Sequence, residues 1–242
     1  MREIRIYQAG PYHSGQTIEL SPEAGQHVGV VLRMQPGDKI TLFYGDNREF
    51  DAILVAVHKK KVSVQITSER EMSRESPRVI HLAQAISKGE RMEFVMQKAV
   101  ELGVASITPL ITARSVVKLD QARMEKKLST WQAIAIAACE QSGRNQIPKV
   151  KAALTLEEYL QTNVGQLKFV LDPKGANTWR DYHFNQSELA LLIGPEGGFS
   201  QEELRQIFSA DFKPLSLGPR ILRTETAAIV ALSVLQAVCG DL

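Results

Sequence analysis

Along the first seventy or so residues, apolar positions come in short runs broken by turn residues. Val28-Gly-Val-Val-Leu-Arg is one such run, and Met34-Gln-Pro-Gly-Asp after it puts Pro and Gly where a tight turn uses them. Lys39-Ile-Thr-Leu-Phe-Tyr leads into a second turn, Gly45-Asp-Asn-Arg. Glu49 to Val57 alternates apolar and polar, as does Val62-Ser-Val-Gln-Ile-Thr, the pattern of strands with one face buried. Short strands at this spacing predict a small barrel or sandwich. The polar, charged segment from Ser68 to Pro77 marks a boundary, giving domains 1–72 and 73–242.

The rhythm then changes. Arg78 to Ile86 reads as a strand, and Met92, Val95, Met96, Ala99 and Leu102 recur at helical spacing before Gly103. Ser106-Ile-Thr-Pro-Leu-Ile is a strand weakened by its proline, and Asp120 to Ser142 a long helix ending at Gly143. The apolar runs Lys168–Leu171, Leu189–Ile193 and Lys213–Leu217 follow, the last two each leading into a helix, Gln201–Phe208 and Glu225–Val238. Strands alternating with helices predict a largely parallel α/β sheet covered on both faces.

Composition narrows the class. The 242 residues are 44% hydrophobic and 23% charged, enough apolar matter for a packed core. No apolar run has the roughly 18 residues that a membrane span needs; Ala227 to Val238 is shorter and is interrupted by Ser233 and Gln236. The first residues hold no apolar stretch of signal-peptide length, so a cytoplasmic location is expected. Cys139 and Cys239, without CxxC spacing, are expected as buried free thiols. Residues 74–151 hold 13 Lys or Arg against 7 Asp or Glu, a local excess compatible with a nucleic-acid partner. The triple lysine at 59–61 is expected at a solvated hairpin end. The five histidines show no paired metal spacing, so no metal is expected.

Two stretches stand apart. Leu191-Leu-Ile-Gly-Pro-Glu-Gly-Gly-Phe-Ser-Gln-Glu-Glu is a buried strand, a glycine turn and a helix opened by Ser200, with Glu203 completing a capping box. Three glycines in five positions either let a ligand approach the backbone closely or serve only the dihedrals of a tight turn. There is no GxGxxG or GxxxxGK[ST], which argues against a pyrophosphate grip. In Leu217-Gly-Pro-Arg-Ile-Leu-Arg-Thr-Glu-Thr-Ala-Ala a strand ends in a Gly-Pro loop. Thr224 is expected to cap a helix that is apolar almost all round, buried in a core or a subunit interface. Arg223 and Glu225 beside its start either pair with each other or face a ligand.

These two loops resemble the closing signature, LIGPEGGFS..E followed by LG.RILR.ETA, of the ribosomal RNA small subunit methyltransferase E family, knotted enzymes of the SPOUT class. Lys88-Gly-Glu-Arg-Met-Glu with Gln97-Lys-Ala-Val-Glu-Leu-Gly-Val resembles the family's first helix. Glu140-Gln-Ser-Gly-Arg resembles its middle motif, and His27 through Gly37 the VLR-x-x-x-GD segment of its PUA-like domain. The match runs in order along nearly the whole chain.

The resemblance implies an α/β chain in which a PUA-like RNA-binding β-barrel precedes a SPOUT domain tied in a trefoil knot. It implies a homodimer that methylates N3 of one uridine in 16S rRNA of the small ribosomal subunit, using S-adenosylmethionine. Carried over, the cofactor residues are Leu171, Ile193, Gly194, Glu196, Gly197, Leu217, Ile221, Leu222, Thr224 and Ala227. Arg33, Lys88, Arg91, Lys98 and Arg144 are the expected RNA contacts. Arg223 is the candidate for favouring the uracil anion, and either Glu225 or Glu196 takes the proton or orients that arginine. Another SPOUT branch, acting on ribose or transfer RNA, and a non-catalytic assembly factor are the alternatives.

Overall fold

In the computed structural model, which describes residues 4–59, 61–115, 120–162 and 164–242, the two alternating stretches form a hairpin of two eleven-residue strands, β4 (Arg48–His58) and β5 (Lys61–Glu71). β1 (Arg5–Tyr7), β2 (Thr17–Glu19) and β3 (Lys39–Phe43) complete a five-stranded sheet in the order β1-β3-β4-β5-β2, antiparallel except where β1 runs alongside β3. Alternation decides which side is the core. Phe50, Ala52 and Leu54 of β4 are buried with Val62, Val64 and Ile66 of β5, and Ile6, Ile40, Leu42 and Val28 join them. Full burial of each large apolar side chain contributes about 1.5–3 kcal/mol. Lys61 opens β5, while Lys60 of the triple lysine lies outside the described residues.

The run at Val28 is not extended. Ser21 accepts the Ala24 N–H and Pro22 occupies the first turn of α1 (Pro22–Gln26), which continues as a π-helical turn over His27–Val31. Local capping chemistry outweighs the β-branched residues there. Gly29 is required, because a β-carbon would collide with the carbonyl of Lys59.

This N-terminal unit extends to Glu75 and takes in Cys139–Ile147, which includes the end of the helix α3 described below. The segment is held by polar bonds. The N–H of Tyr7 donates to Glu140, Arg5 donates to Asn145 Oδ1 at 2.6 Å, and Asn145 Nδ2 donates to the Met72 carbonyl at 2.6 Å. Glu49, 1% exposed, accepts from Arg5, Arg70 and Arg74. Burial alone would raise its pKa, but the hydrogen bonds of Arg74 and Asn145 and the charge of Arg5 hold it down to about 2.

The second unit, Ser76–Ala138 with Pro148–Leu242, is built on a parallel sheet of seven strands. Its strands are β6 (Val79–Ala85), β7 (Ser106–Ile111), β8 (Lys149–Val150), β9 (Leu154–Thr155), β10 (Leu167–Leu171), β11 (Glu188–Ile193) and β12 (Lys213–Leu215). The order is β12-β10-β11-β6-β7-β8, with β9 also on β7. Pro109 sits inside β7 without ending it, and the 106–110 pairing with β6 is continuous. Helices α2 (Glu90–Glu101), α3 (Gln121–Ser142), α4 (Leu156–Leu160), α5 (Gln201–Ser209) and α6 (Thr224–Cys239) connect or follow the strands. Central strands are buried on both faces: Leu189 through Ile193 are at most 2% exposed. Gly103 and Gly143 end α2 and α3 at positive φ, as their places in the sequence predict.

Among the described residues no helix is long and apolar enough to cross a membrane, and no cluster of His, Cys, Asp and Glu could hold a metal. Both cysteines are free, Cys139 buried and Cys239 half-buried, and burial pushes the Cys139 thiol up to about 12.

Candidate functional site

In a parallel sheet all strands end on one edge, and loops leaving that edge meet there. β10, β11 and β12 end at Leu171, Ile193 and Leu215, which together line a cavity of about 730 Å³. That is within the range of small-molecule sites. The glycine loop after β11 forms one wall and the Leu217–Arg223 loop another.

The glycine loop turns sharply: Gly198 donates its N–H to the Pro195 carbonyl at 2.9 Å and has φ of +67°. Gly194 is tightly packed, since a β-carbon would stand 3.0 Å from the Phe199 ring, which would have to give way. Ser200 and Glu203 make the expected capping box at the start of α5. Glu203 does more than the motif predicts: its second oxygen accepts the Ala113 N–H at 2.8 Å.

Thr224 departs from expectation. The cap of α6 is Arg223, without a side-chain capping bond, and Thr224 is the first helical residue. Its hydroxyl is turned inward, donating to the Gly194 carbonyl at 2.8 Å and accepting from Gln84 Nε2 at 3.0 Å. A buried acceptor and donor in need of partners outcompete the local cap. Ile221 and Leu222 line the cavity, and their amide N–H groups have no backbone partner among the described residues.

All ten expected cofactor residues, Leu171, Ile193, Gly194, Glu196, Gly197, Leu217, Ile221, Leu222, Thr224 and Ala227, come together around this one cavity, as does Arg223. Glu225 stands just outside the lining, 13% exposed in its side chain, with Oε2 buried and unpartnered. Its neighbouring cation is Arg91, at 3.9 Å, so of the two readings of Arg223 and Glu225 the mutual pair does not form. Arg223 is exposed and makes no ion pair among the described residues.

The expected RNA contacts disperse. Arg91 lines the cavity and donates to Glu196 at 3.0 Å. Lys88 is exposed, and Lys98 pairs with Glu101 at 2.8 Å on its own helix. Arg33 is exposed in the N-terminal unit with φ of +55°. Arg144 is 4% exposed and forked onto Glu75. A guanidinium buried on a carboxylate is committed to the fold, so Arg144 gives way as a phosphate contact.

Sequence reading missed Arg114, Asp172 and Lys174 in the lining, and reached Arg220 only as part of the Leu217–Ala227 loop. The Asp172-Pro-Lys-Gly turn had a signal, its place at the carboxyl end of a strand; Arg114 had none. With these, five cationic side chains and two carboxylates line the cavity, an excess that suits a polyanion.

A family model described as an RNA methyltransferase domain matches residues 74–236, and one described as an RNA methyltransferase PUA domain matches residues 20–67. These set the class, RNA methyltransferases that carry a PUA domain. The ribosomal RNA small subunit methyltransferase E of Buchnera aphidicola from Acyrthosiphon pisum is 36% identical, covering 98% of this chain and 94% of the relative. That of Bacillus subtilis is 34% identical, covering 90% and 89%. The crystal structure of the Neisseria gonorrhoeae enzyme of this name, bound to S-adenosylmethionine, superposes with a TM-score of 0.93 at 38% identity over all of both chains. A Legionella pneumophila chain solved with the same cofactor gives 0.98 at 60% identity, again over all of both chains. The chain belongs to the ribosomal RNA small subunit methyltransferase E family.

Proposed function

We propose that this chain transfers a methyl group from S-adenosylmethionine to N3 of one uridine in 16S rRNA of the small ribosomal subunit. One observation carries the reading: the two family loops, Gly194–Gly198 and Leu217–Arg223, meet at the carboxyl edge of a parallel sheet around a cavity of about 730 Å³. That cavity suits the cofactor's chemistry, with close backbone approach at the glycines, aliphatic walls from Leu171, Leu217 and Leu222, and free amide N–H groups for an adenine edge.

When bound, S-adenosylmethionine supplies an activated methyl on a sulfonium. Reaction is then an in-line displacement, and what the protein adds is mainly position. The neutral imide nitrogen of uracil is a poor nucleophile, so its proton must leave. Arg223 favours the anion at a uracil oxygen; its exposure at the cavity, without a carboxylate partner among the described residues, supports that role. Glu225, with an unpartnered oxygen, or Glu196 takes the proton. Reaching N3 requires an unpaired or flipped-out base. The domain at 1–72 is a PUA-like barrel that grips RNA, with Arg33 of this domain and Lys88 of the second among the exposed cations available for phosphate.

The enzyme works as a homodimer in the cytoplasm, and its domain at 73–242 is tied in a trefoil knot. Support for the dimer is the outward apolar side of α6, where Ile229, Val230 and Val234 stay half-buried, and Ile221, 88% exposed on the adjoining loop. The knot rests on the family resemblance.

Transfer of labelled methyl to small subunits from cells lacking this gene, followed by nucleoside analysis, tests the proposal. 3-Methyluridine is the expected product. Another methylated nucleoside would move the chain to a different branch of the fold. Absence of transfer to subunits, free rRNA or tRNA by folded protein would favour a binding factor.

A further inference from the structure

The Gly194–Gly198 loop is held from outside by two arginines that belong neither to it nor to the elements it joins. From α2, Arg91 Nη1 donates to Glu196 Oε1 at 3.0 Å, and its Nε lies 3.9 Å from Glu225 Oε1. From the turn after β7, Arg114 Nη1 donates to the Gly197 carbonyl at 2.8 Å. Both arginines line the cavity.

Arg114 stands on an anchored turn. The hydroxyls of Thr112 and Ser115 are bonded at 2.8 Å, and the Ala113 N–H donates to Glu203 Oε1 at 2.8 Å. Glu203 caps α5, the helix into which the glycine loop runs. Loop, helix and turn therefore close a ring: Gly197 to Arg114, Ala113 to Glu203, and back along the chain. Arg91 ties the same loop to a second element and is shared with Glu225 at the first turn of α6.

Such bonds matter little to folding. The Arg91 side chain is 45% exposed, and ion pairs at that exposure contribute little to stability. They matter to a loop rich in glycine, which has many conformations to lose before it can receive a ligand. We propose that Arg91 and Arg114 are positioning residues that hold the Gly194–Gly198 loop in the conformation that receives S-adenosylmethionine, with Arg91 linking that loop to Glu225. This rests on the cofactor reading given above. It replaces a phosphate contact as the role of Arg91, whose guanidinium already faces two carboxylates.

The test titrates S-adenosylmethionine calorimetrically, without RNA, into the wild type and the Arg91→Gln, Arg91→Lys and Arg114→Met variants. Melting temperature, steady-state kinetics and the salt dependence of RNA binding are measured beside it. Arg91→Gln and Arg114→Met should each weaken cofactor affinity about tenfold, as the loss of one charge-assisted hydrogen bond would. KM for the cofactor should rise by a similar factor with kcat changed far less, and melting should stay close to wild type. Arg91→Lys should recover part of the loss. Unchanged cofactor affinity, with RNA binding weaker and its salt slope reduced by about one per arginine, would overturn the proposal in favour of phosphate contacts. A wild type that binds no S-adenosylmethionine would instead sink the cofactor reading, and the positioning role with it.

Discussion

Thr224 and Gly194 are joined by a hydrogen bond of 2.8 Å from hydroxyl to carbonyl, across thirty residues of sequence. The bond ties the first turn of α6 to the point where β11 becomes the glycine loop. Gln84, at 0% exposure near the end of β6, extends it by donating to the same hydroxyl at 3.0 Å. Three elements that shape the cavity are thus registered through one oxygen atom.

Thr224→Val keeps the shape and removes that oxygen. It leaves the Gly194 carbonyl and one hydrogen of the Gln84 amide without partners in a buried place, a loss of about 1–3 kcal/mol. Urea unfolding should show that loss, and calorimetry should show weaker cofactor binding. Thr224→Ser should preserve both. Equal behaviour of the two variants would mean that the hydroxyl does not organise the loop.

Gly194→Ala places a methyl group 3.0 Å from the ring of Phe199, which is 8% exposed and packed in the core with Ile207 and Phe212. The ring or the loop must give way, and overpacking of this kind costs about 1–3 kcal/mol. Cofactor affinity should fall as well, because the loop is the softer of the two. Phe199→Leu should partly restore binding to Gly194→Ala by making room. Failure of that second change to help would point to the backbone rather than the ring.

These relationships mark where the sequence stops being legible. Periodicity located five of the seven parallel strands and four of the five helices of the second unit, because burial on both faces leaves apolar runs and one-sided burial leaves a 3.6-residue spacing; the two-residue strands β8 and β9 and the five-residue α4 are too short to leave either pattern. The glycine loops stood out through composition alone. The run at Val28 misled because β-branched residues suit strands, whereas Ser21 and Pro22 start a helix whose continuation depends on Gly29 meeting Lys59. Thr224 looked like a cap because its actual partners, Gly194 and Gln84, are 30 and 140 residues away. Arg144 looked like a phosphate contact for the same reason: Glu75 is 69 residues distant. Local patterns fix elements; polar partners brought in by tertiary structure carry no local trace.

Arg78 should matter to stability more than any surface cation. Its guanidinium donates to the carbonyls of Cys239, Gln186 and Phe184 at 2.9, 3.1 and 3.2 Å, joining the end of α6 to the segment before β11. The positive charge also complements the carboxyl end of a helix dipole. Arg78→Met keeps the aliphatic stem and strands three carbonyls, for a loss of about 2–4 kcal/mol on urea unfolding. Hydrogen exchange should quicken in the last turn of α6. Exchange unchanged there would show that the helix end is held by other contacts.

Glu49 makes the N-terminal unit sensitive to acid. Its ordinary value is 4.5 and its folded value about 2, burial being overcome by Arg74, Asn145 and Arg5. A carboxylate with a depressed folded value contributes stability above its unfolded value. That contribution, about 3 kcal/mol for a shift of this size, is lost as pH falls from about 4.5 towards about 2. Glu49→Gln removes the charge and leaves Arg5 buried without it, so the variant should be much less stable at pH 7. The gap from wild type should narrow at pH 3, where the native side chain begins to lose its charge on unfolding. A gap independent of pH would assign the acid sensitivity to another group.

Arg223 and Glu225 stand two residues apart, yet they make no pair with each other. Arg223 is exposed at the cavity, while Glu225 faces Arg91 and keeps one oxygen buried and unpartnered. An arginine without a carboxylate partner keeps its charge available to an incoming anion. Arg223→Ala should therefore fold normally by circular dichroism and bind S-adenosylmethionine with little change, because the loop ties run through Thr224, Arg91 and Arg114 instead. Turnover should fall by about 10²–10³, the usual effect of removing a donor aimed at developing negative charge. If Arg223 favours the uracil anion, raising the pH should recover part of the lost rate, since hydroxide then does some of the deprotonation. Arg223→Lys, keeping charge without the fork, should fall between. Turnover undiminished in Arg223→Ala would remove it from the chemistry and leave the cation to be sought in Arg220 or Lys174, which line the same cavity.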